Sequence, residues 1–193
     1  MAGVRQFDES ETLEAAIALF WEQGFGSTSM QNLAAATGVL RGSLYNAYGD
    51  KQGMFLEAYR HHQARYLAQA AASLAQVDPA VALESLFVFV ITWITDGTPS
   101  RGCLTTKTAT DETARSEPIR QALGGLLGGL EALVETRLTQ PDATARLRLP
   151  AAEAARLVVT LSRGIVIMER VDRDRETLLA TARSLITLVL APA

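Results

Sequence analysis

The sequence predicts an all-α protein: an N-terminal head of three short helices, then a helical bundle, about nine helices in all. Three observations predict it. Apolar residues recur at the three- and four-residue spacing of a helix face through most of the 193 residues. No stretch sustains the apolar/polar alternation of a half-buried strand, and prolines and glycines fall at intervals of one helix length. An apolar content of 48% with 20% charged residues suits a globular chain with a real core rather than a disordered one.

The first helix starts near Asp8, carries Leu13, Ala16, Ile17 and Phe20 on one stripe, and stops at Gly24. Ser27, Thr28 and Ser29 offer hydroxyl caps for a two-turn helix over Met30 to Thr37, which Gly38 closes in a left-handed conformation. A third helix, Leu40 to Ala47, ends at Tyr48-Gly49-Asp50, and Asp50 caps a longer fourth from Lys51 toward Gln76. Asp78-Pro79 sets off a fifth over Ala80 to Asp96; it is apolar almost all round and so belongs in the middle of a bundle, and Gly97-Thr98-Pro99-Ser100 ends it. The remaining helices are expected over Cys103–Arg115, Pro118–Thr139, Ala151–Arg170 and Arg173–Leu190. Gly124, Gly125, Gly128 and Gly129 cost the seventh about 1 kcal/mol each against alanine, so either a close helix neighbour or a bend around a ligand must offset them. A domain border is placed at residue 50, dividing the chain into 1–50 and 51–193.

Composition excludes several classes of function. The first residues lack the apolar run of a signal peptide, and the greasiest stretch, Leu83 to Ile94, is interrupted by Glu84 and too short to span a bilayer, so a cytoplasmic protein is expected. The lone Cys103 cannot form an internal disulfide and lacks companion metal ligands. His61 and His62 are adjacent and face different ways on a helix; no Ser/His/Asp set, phosphate loop or dinucleotide fingerprint is visible, so neither enzyme nor cofactor is expected. The net charge of −3 gives no general attraction to nucleic acid, and in the N-terminal third Arg5, Arg41, Lys51 and Arg60 are outweighed by Asp8, Glu9, Glu11, Glu14, Glu22, Asp50 and Glu57. Any recognition of DNA must come from local placement, with modest salt dependence and reliance on a paired molecule.

The second and third helices with the Gly38-Val39 turn form a helix-turn-helix: glycine accepts the positive φ, and Val39 packs with Leu33, Ala34 and Leu44. That leaves Arg41, Gly42, Ser43, Tyr45 and Asn46 outward. The run SETLEAAIALFWEQGFGSTSMQNLAAATGVLRGSLYNAYGDKQGMFLEA resembles the TetR family of bacterial transcription regulators in its order of Gly-Phe, Thr-Ser, Leu-Ala, Gly-Val, Leu-Tyr and Gly-Asp-Lys. The resemblance implies a repressor that binds a palindromic double-stranded operator as a homodimer and is released by a small effector. It places Gln31 where relatives reach a base or phosphate, and Arg41, Gly42 and Ser43 at the opening of the recognition helix, with Arg41 suited to pair with guanine. It places Tyr45, Tyr48 and Lys51 against phosphates, where they position rather than specify. Ala47 stands where many relatives carry a polar or aromatic residue.

Behind the head, Phe87, Val90, Ile91, Trp93, Ile94, Cys103, Thr106, Leu127 and Met168 are candidates to line an effector pocket, and their lack of ionisable groups favours an uncharged, fairly hydrophobic ligand. Cys103 follows Arg101-Gly102 at a helix start, so it is either a reactive sensor of electrophiles or oxidants, as the resemblance allows, or a small core residue. The apolar stripes Leu157, Leu161, Ile165, Met168 and Leu178, Ala182, Leu185, Ile186, Val189, with small Gly164 between, match the helices that form a two-fold four-helix interface in that family. A helical interaction module without DNA binding is the rival reading; nothing in the residues fixes repression over activation.

Overall fold

The computed structural model describes residues 7–97, 100–172 and 174–192. Among them lie ten α-helices and one 3-10 turn, with no strand and a single antiparallel bridge between Leu147 and Leu190. The helices are α1 (Glu9–Gln23), α2 (Met30–Thr37), α3 (Arg41–Tyr48), α4 (Lys51–Ser73), α5 (Pro79–Thr95), α6 (Leu104–Ala109), α7 (Glu117–Leu138), α8 (Pro141–Thr144), α9 (Ala151–Asp172) and α10 (Arg175–Val189). The expected helix content and order are therefore present. Arg5, Thr98, Pro99 and Arg173, used above as charge, breaker or boundary signals, lie outside the described residues.

Packing divides the chain into two compact units: one holds the residues up to 65 together with 107–123, the other 66–106 and those from 124 onward. Because the first half of α4 packs with α1 to α3, the compact border falls within α4 after Arg65, beyond the loop signal at residue 50.

In the first unit local chemistry sets each boundary. The Asp8 carboxylate accepts the Glu11 amide at 2.9 Å and starts α1, whose buried face is Thr12, Leu13, Ala16, Ile17, Phe20 and Trp21. Ser29 and Asn32 form a reciprocal capping box that starts α2. Gly38, at φ +68°, turns the chain toward α3, a conformation that costs a residue with a Cβ about 1–2 kcal/mol. An aromatic cluster locks these helices onto α4: the Phe55 ring meets Phe20 edge-on at 5.1 Å and Phe25 at 5.4 Å, and stacks on Tyr59.

In the second unit Asp78 caps α5 by accepting the Ala80 and Val81 amides, and α5 runs through the core, packing against α9 and α10. Gly129 of α7 meets Leu67 of α4, where an added Cβ would lie 2.8 Å from Leu67 Cδ1; Gly124 and Gly128 face open space. Close approach thus accounts for one of these glycines. Three boundaries differ from the sequence reading. The single helix expected over 103–115 breaks at Thr110, because the Asp111 carboxylate accepts the Thr113 amide at 2.8 Å and starts a separate 3-10 turn over Glu112–Arg115. Pro141 starts the short α8 inside what reads as a loop. The ninth helix continues to Asp172, and Asp174 caps α10.

Candidate nucleic-acid interface

The two-turn α3 has two faces with opposite tasks. Leu44 and Tyr48, one turn apart, are buried and fix the helix to the head; Arg41, Gly42, Tyr45 and Asn46 stand in solvent on the other face. The Arg41 guanidinium lies 5.4 Å from the centre of the Tyr45 ring and its Nη2 donates to the Tyr45 hydroxyl at 3.4 Å, so the two side chains pair on the exposed face and carry a positive charge there. Gln31 is exposed on the first turn of α2, and Ser43 is half-buried. Of the residues expected to meet DNA, these keep the accessibility the role needs.

Two others do not fit as expected. Tyr48 is only 8% exposed, its hydroxyl is buried and its ring sits 6.4 Å from that of Phe7, so it belongs to the core of the head and not to a phosphate-binding edge. The spacing of four from Leu44 carries that information. Lys51 directs its ammonium inward: Nζ donates to the Phe25 carbonyl at 2.8 Å and to the Gly26 carbonyl at 3.5 Å and lies 4.4 Å from the centre of the Phe25 ring. It fastens the loop between α1 and α2.

A residue the sequence reading passed over makes a matching contact. Lys107 of α6 donates to the Trp21 carbonyl at 2.8 Å and the Glu22 carbonyl at 3.1 Å, satisfying groups that the last turn of α1 leaves without helical partners. Nothing local in the sequence announces a contact across 86 residues.

In the second unit, Phe87, Val90, Ile91 and Ile94 are fully enclosed on α5, and Trp93 is half-buried, its ring edge-on to Tyr66 at 5.4 Å and tilted against Phe89. Cys103, Thr106 and Leu127 are half-buried. Arg163 of α9 reaches into this region: Nη1 donates to Cys103 Sγ at 3.5 Å and Nη2 to the Tyr66 hydroxyl at 3.2 Å. Burial holds the Tyr66 hydroxyl above the usual tyrosine range, against the opposing pull of the Arg163 guanidinium. Glu169, 1% exposed, accepts from Ser100 Oγ at 2.9 Å. The body is therefore richer in ionisable groups than the candidate residues suggested.

Met168 does not join the enclosed residues of α5. It is 53% exposed on the outer face of α9, where with Leu161, Gly164, Ile165, Thr177 and Thr181 it lines an apolar groove of about 190 Å³ between α9 and α10. The interface candidates divide in the same way. Leu157, Gly164 and Met168 are exposed and Leu161 and Leu185 half-buried; Ile165, Leu178, Ala182, Ile186 and Val189 are buried, with Ile165 and Leu178 forming part of the groove wall. The reason is that α10 presses its apolar stripe onto α5. Exposed Ile167, Val171 and Leu188, which the sequence reading did not single out, extend the apolar outer surface.

No group of metal-ligating side chains occurs among the described residues, and none of their helices is long and apolar enough to cross a membrane. A tight-turned pair of two-turn helices with a solvated second helix defines a helix-turn-helix module. Residues 13–58 match the family described as bacterial regulatory proteins, tetR family, and residues 79–184, more than half of the chain, match the C-terminal domain of LmrA/YxaF-like transcriptional regulators. The chain belongs to the TetR family. It is 40% identical over 58 residues to YezE of Bacillus subtilis, described as an uncharacterized HTH-type transcriptional regulator, covering 30% of each chain. It is 30% identical over 99 residues to the HTH-type transcriptional repressor ComR of Escherichia coli, covering 50% of this chain and 47% of ComR. It thus spans less than half the length of either of these curated relatives. Across 96% of this chain and 98% of the other, its fold matches a cysteine mutant of the TetR family regulator CifR complexed with 26-base-pair operator DNA, at a TM-score of 0.82 and 27% identity.

Proposed function

We propose that this chain is a cytoplasmic, ligand-released transcription repressor that binds a near-palindromic operator as a homodimer and catalyses no reaction. The observation that carries the proposal is the division of α3: a buried pair, Leu44 and Tyr48, holds it, while Arg41, Gly42, Tyr45 and Asn46 are left in water as a reading face. Residues 1–50 supply the reading and 51–193 the sensing and pairing. The outward stripe of α9, Leu157, Leu161, Gly164 and Met168, supports pairing through this surface; around Gly164 nothing lies within 4 Å of an added Cβ, which leaves room for a second backbone. Operator DNA in the CifR complex and the description of ComR as a repressor support the same reading. Selection from a random duplex library tests it. A palindrome bound by two copies of the chain is the expected result; a monomer, or a protein that enriches no sequence, refutes the proposal.

The release signal has two readings. The enclosed residues of α5 favour a small hydrophobic effector. The thiol of Cys103, free, only half-buried and in contact with Arg163, favours a thiol-directed signal. Treatment of the operator complex with iodoacetamide separates them: release that is lost in Cys103→Ser supports the thiol, and retained binding with Cys103 alkylated refutes it.

A further inference from the structure

The start of α3, like that of the four-residue α8, lacks the side-chain cap that begins α1, α2, α5 and α10. Asp8, Ser29, Asp78 and Asp174 place a side-chain oxygen on the first amides of α1, α2, α5 and α10. The corresponding position of α3 is Leu40, at φ −55° and ψ 134° with no side-chain cap, and leucine is among the poorest residues there. Leu40 does not compensate by packing. It is 79% exposed, whereas Leu33 and Leu44 on either side of the turn are fully enclosed. A side chain that neither caps nor packs, at the tip of a reading helix, is where a departure from local preference points to a task outside the protein.

The surroundings identify the chemistry. Leu40 precedes exposed Arg41 and Gly42, and an added Cβ at Gly42 would have nothing within 4 Å, so no neighbouring side chain screens this end of the helix. In the proposed operator complex, the N-terminal end of the second helix approaches base edges in the major groove, where the apolar feature is the C5 methyl group of thymine. We infer that Leu40 is a specificity-determining residue that packs on a thymine methyl group in each operator half-site, beside the base pair met by Arg41. This inference rests on the proposed DNA-binding function.

Replacement of single thymines by deoxyuridine in the selected operator tests it, since the exchange removes only the methyl group. The expected result is one position per half-site at which the loss of that methyl weakens the wild-type protein by about three- to tenfold. Leu40→Ser is expected to bind thymine and uracil duplexes with less than about a twofold difference at that position, and to melt at a higher temperature than wild type, because serine restores the cap. The melting curve shows that the variant is folded. Specific binding by the wild type with no position sensitive to uracil, or the same sensitivity in Leu40→Ser, overturns the inference while leaving DNA binding intact. Failure of the wild type to select any duplex refutes the proposed function and this inference together.

Discussion

Lys107→Met removes an ammonium while keeping most of the side chain's reach, and so isolates the contact between α6 and the end of α1. Two hydrogen bonds are lost, to the carbonyls of Trp21 and Glu22. Charged hydrogen bonds contribute about 1.5–3 kcal/mol each where solvent is excluded, and a cation at a helix C-terminus about 0.3–1 kcal/mol. Here Lys107 is exposed and water can replace the ammonium at both carbonyls, which reduces the expected loss to about 1–2 kcal/mol. For a chain of 193 residues this corresponds to a fall in Tm of roughly 2–8 °C. Thermal and urea denaturation measure it, with Arg115→Met as the control, since Arg115 meets Glu112 in an ion pair in which both side chains are more than 80% exposed. Lys107→Arg is expected to recover at least half of the loss, and hydrogen exchange in Lys107→Met to accelerate in the last turn of α1. A Lys107→Met protein no less stable than Arg115→Met, or one destabilised with unchanged exchange in that turn, would refute the reasoning.

Three further perturbations address other parts of the chain. Gly53→Ala sets a Cβ 2.1 Å from the Tyr48 carbonyl oxygen, so despite the better helix propensity of alanine it is expected to destabilise by more than about 2 kcal/mol in urea titration; a neutral result contradicts the turn between α3 and α4. The amide of Val81, then Arg146, hold the Asp78 carboxyl below its usual pKa, so its contribution is complete above the unfolded value near 3.8 and lost as pH falls through the lower folded value. Asp78→Ala should therefore cost about 1–2 kcal/mol at pH 7 and progressively less below pH 4, and a pH-independent difference argues against the cap. Tyr48→Phe should leave operator affinity within about twofold, whereas Tyr45→Ala should weaken it at least about tenfold in fluorescence anisotropy; the reverse order would place the wrong tyrosine on the DNA side.

What the sequence made legible depended on the range of the interaction. Asp8, the Ser29-Asn32 pair and Gly38 act on amides or dihedral angles within a few residues, so the ends of α1 and α2 could be read from composition and spacing. Asp111 is equally local, yet with no proline or glycine inside 103–115 a single helix is expected where its carboxylate starts a new turn. The resemblance places Tyr48 against phosphate, whereas its four-residue spacing from Leu44 matches the burial found. The remaining differences are tertiary. An apolar stripe on α10 says that something covers it, not that α5 does, and the meeting of Arg163 with Cys103, sixty residues away, leaves no trace in either neighbourhood.

The chain contains only two lysines, Lys51 and Lys107, and both set their ammonium groups on carbonyls within residues 21–26. Amine-directed chemistry therefore has no inert side-chain handle on this molecule. At side chains, acylating dyes, crosslinkers and carboxyl-activated sensor chips would draw on the same small corner of the head, and each lysine so acylated would lose the charge that holds it there. Immobilisation through an added tag keeps that corner unmodified, and the rate at which an acylating reagent consumes the two lysines reports how often it opens.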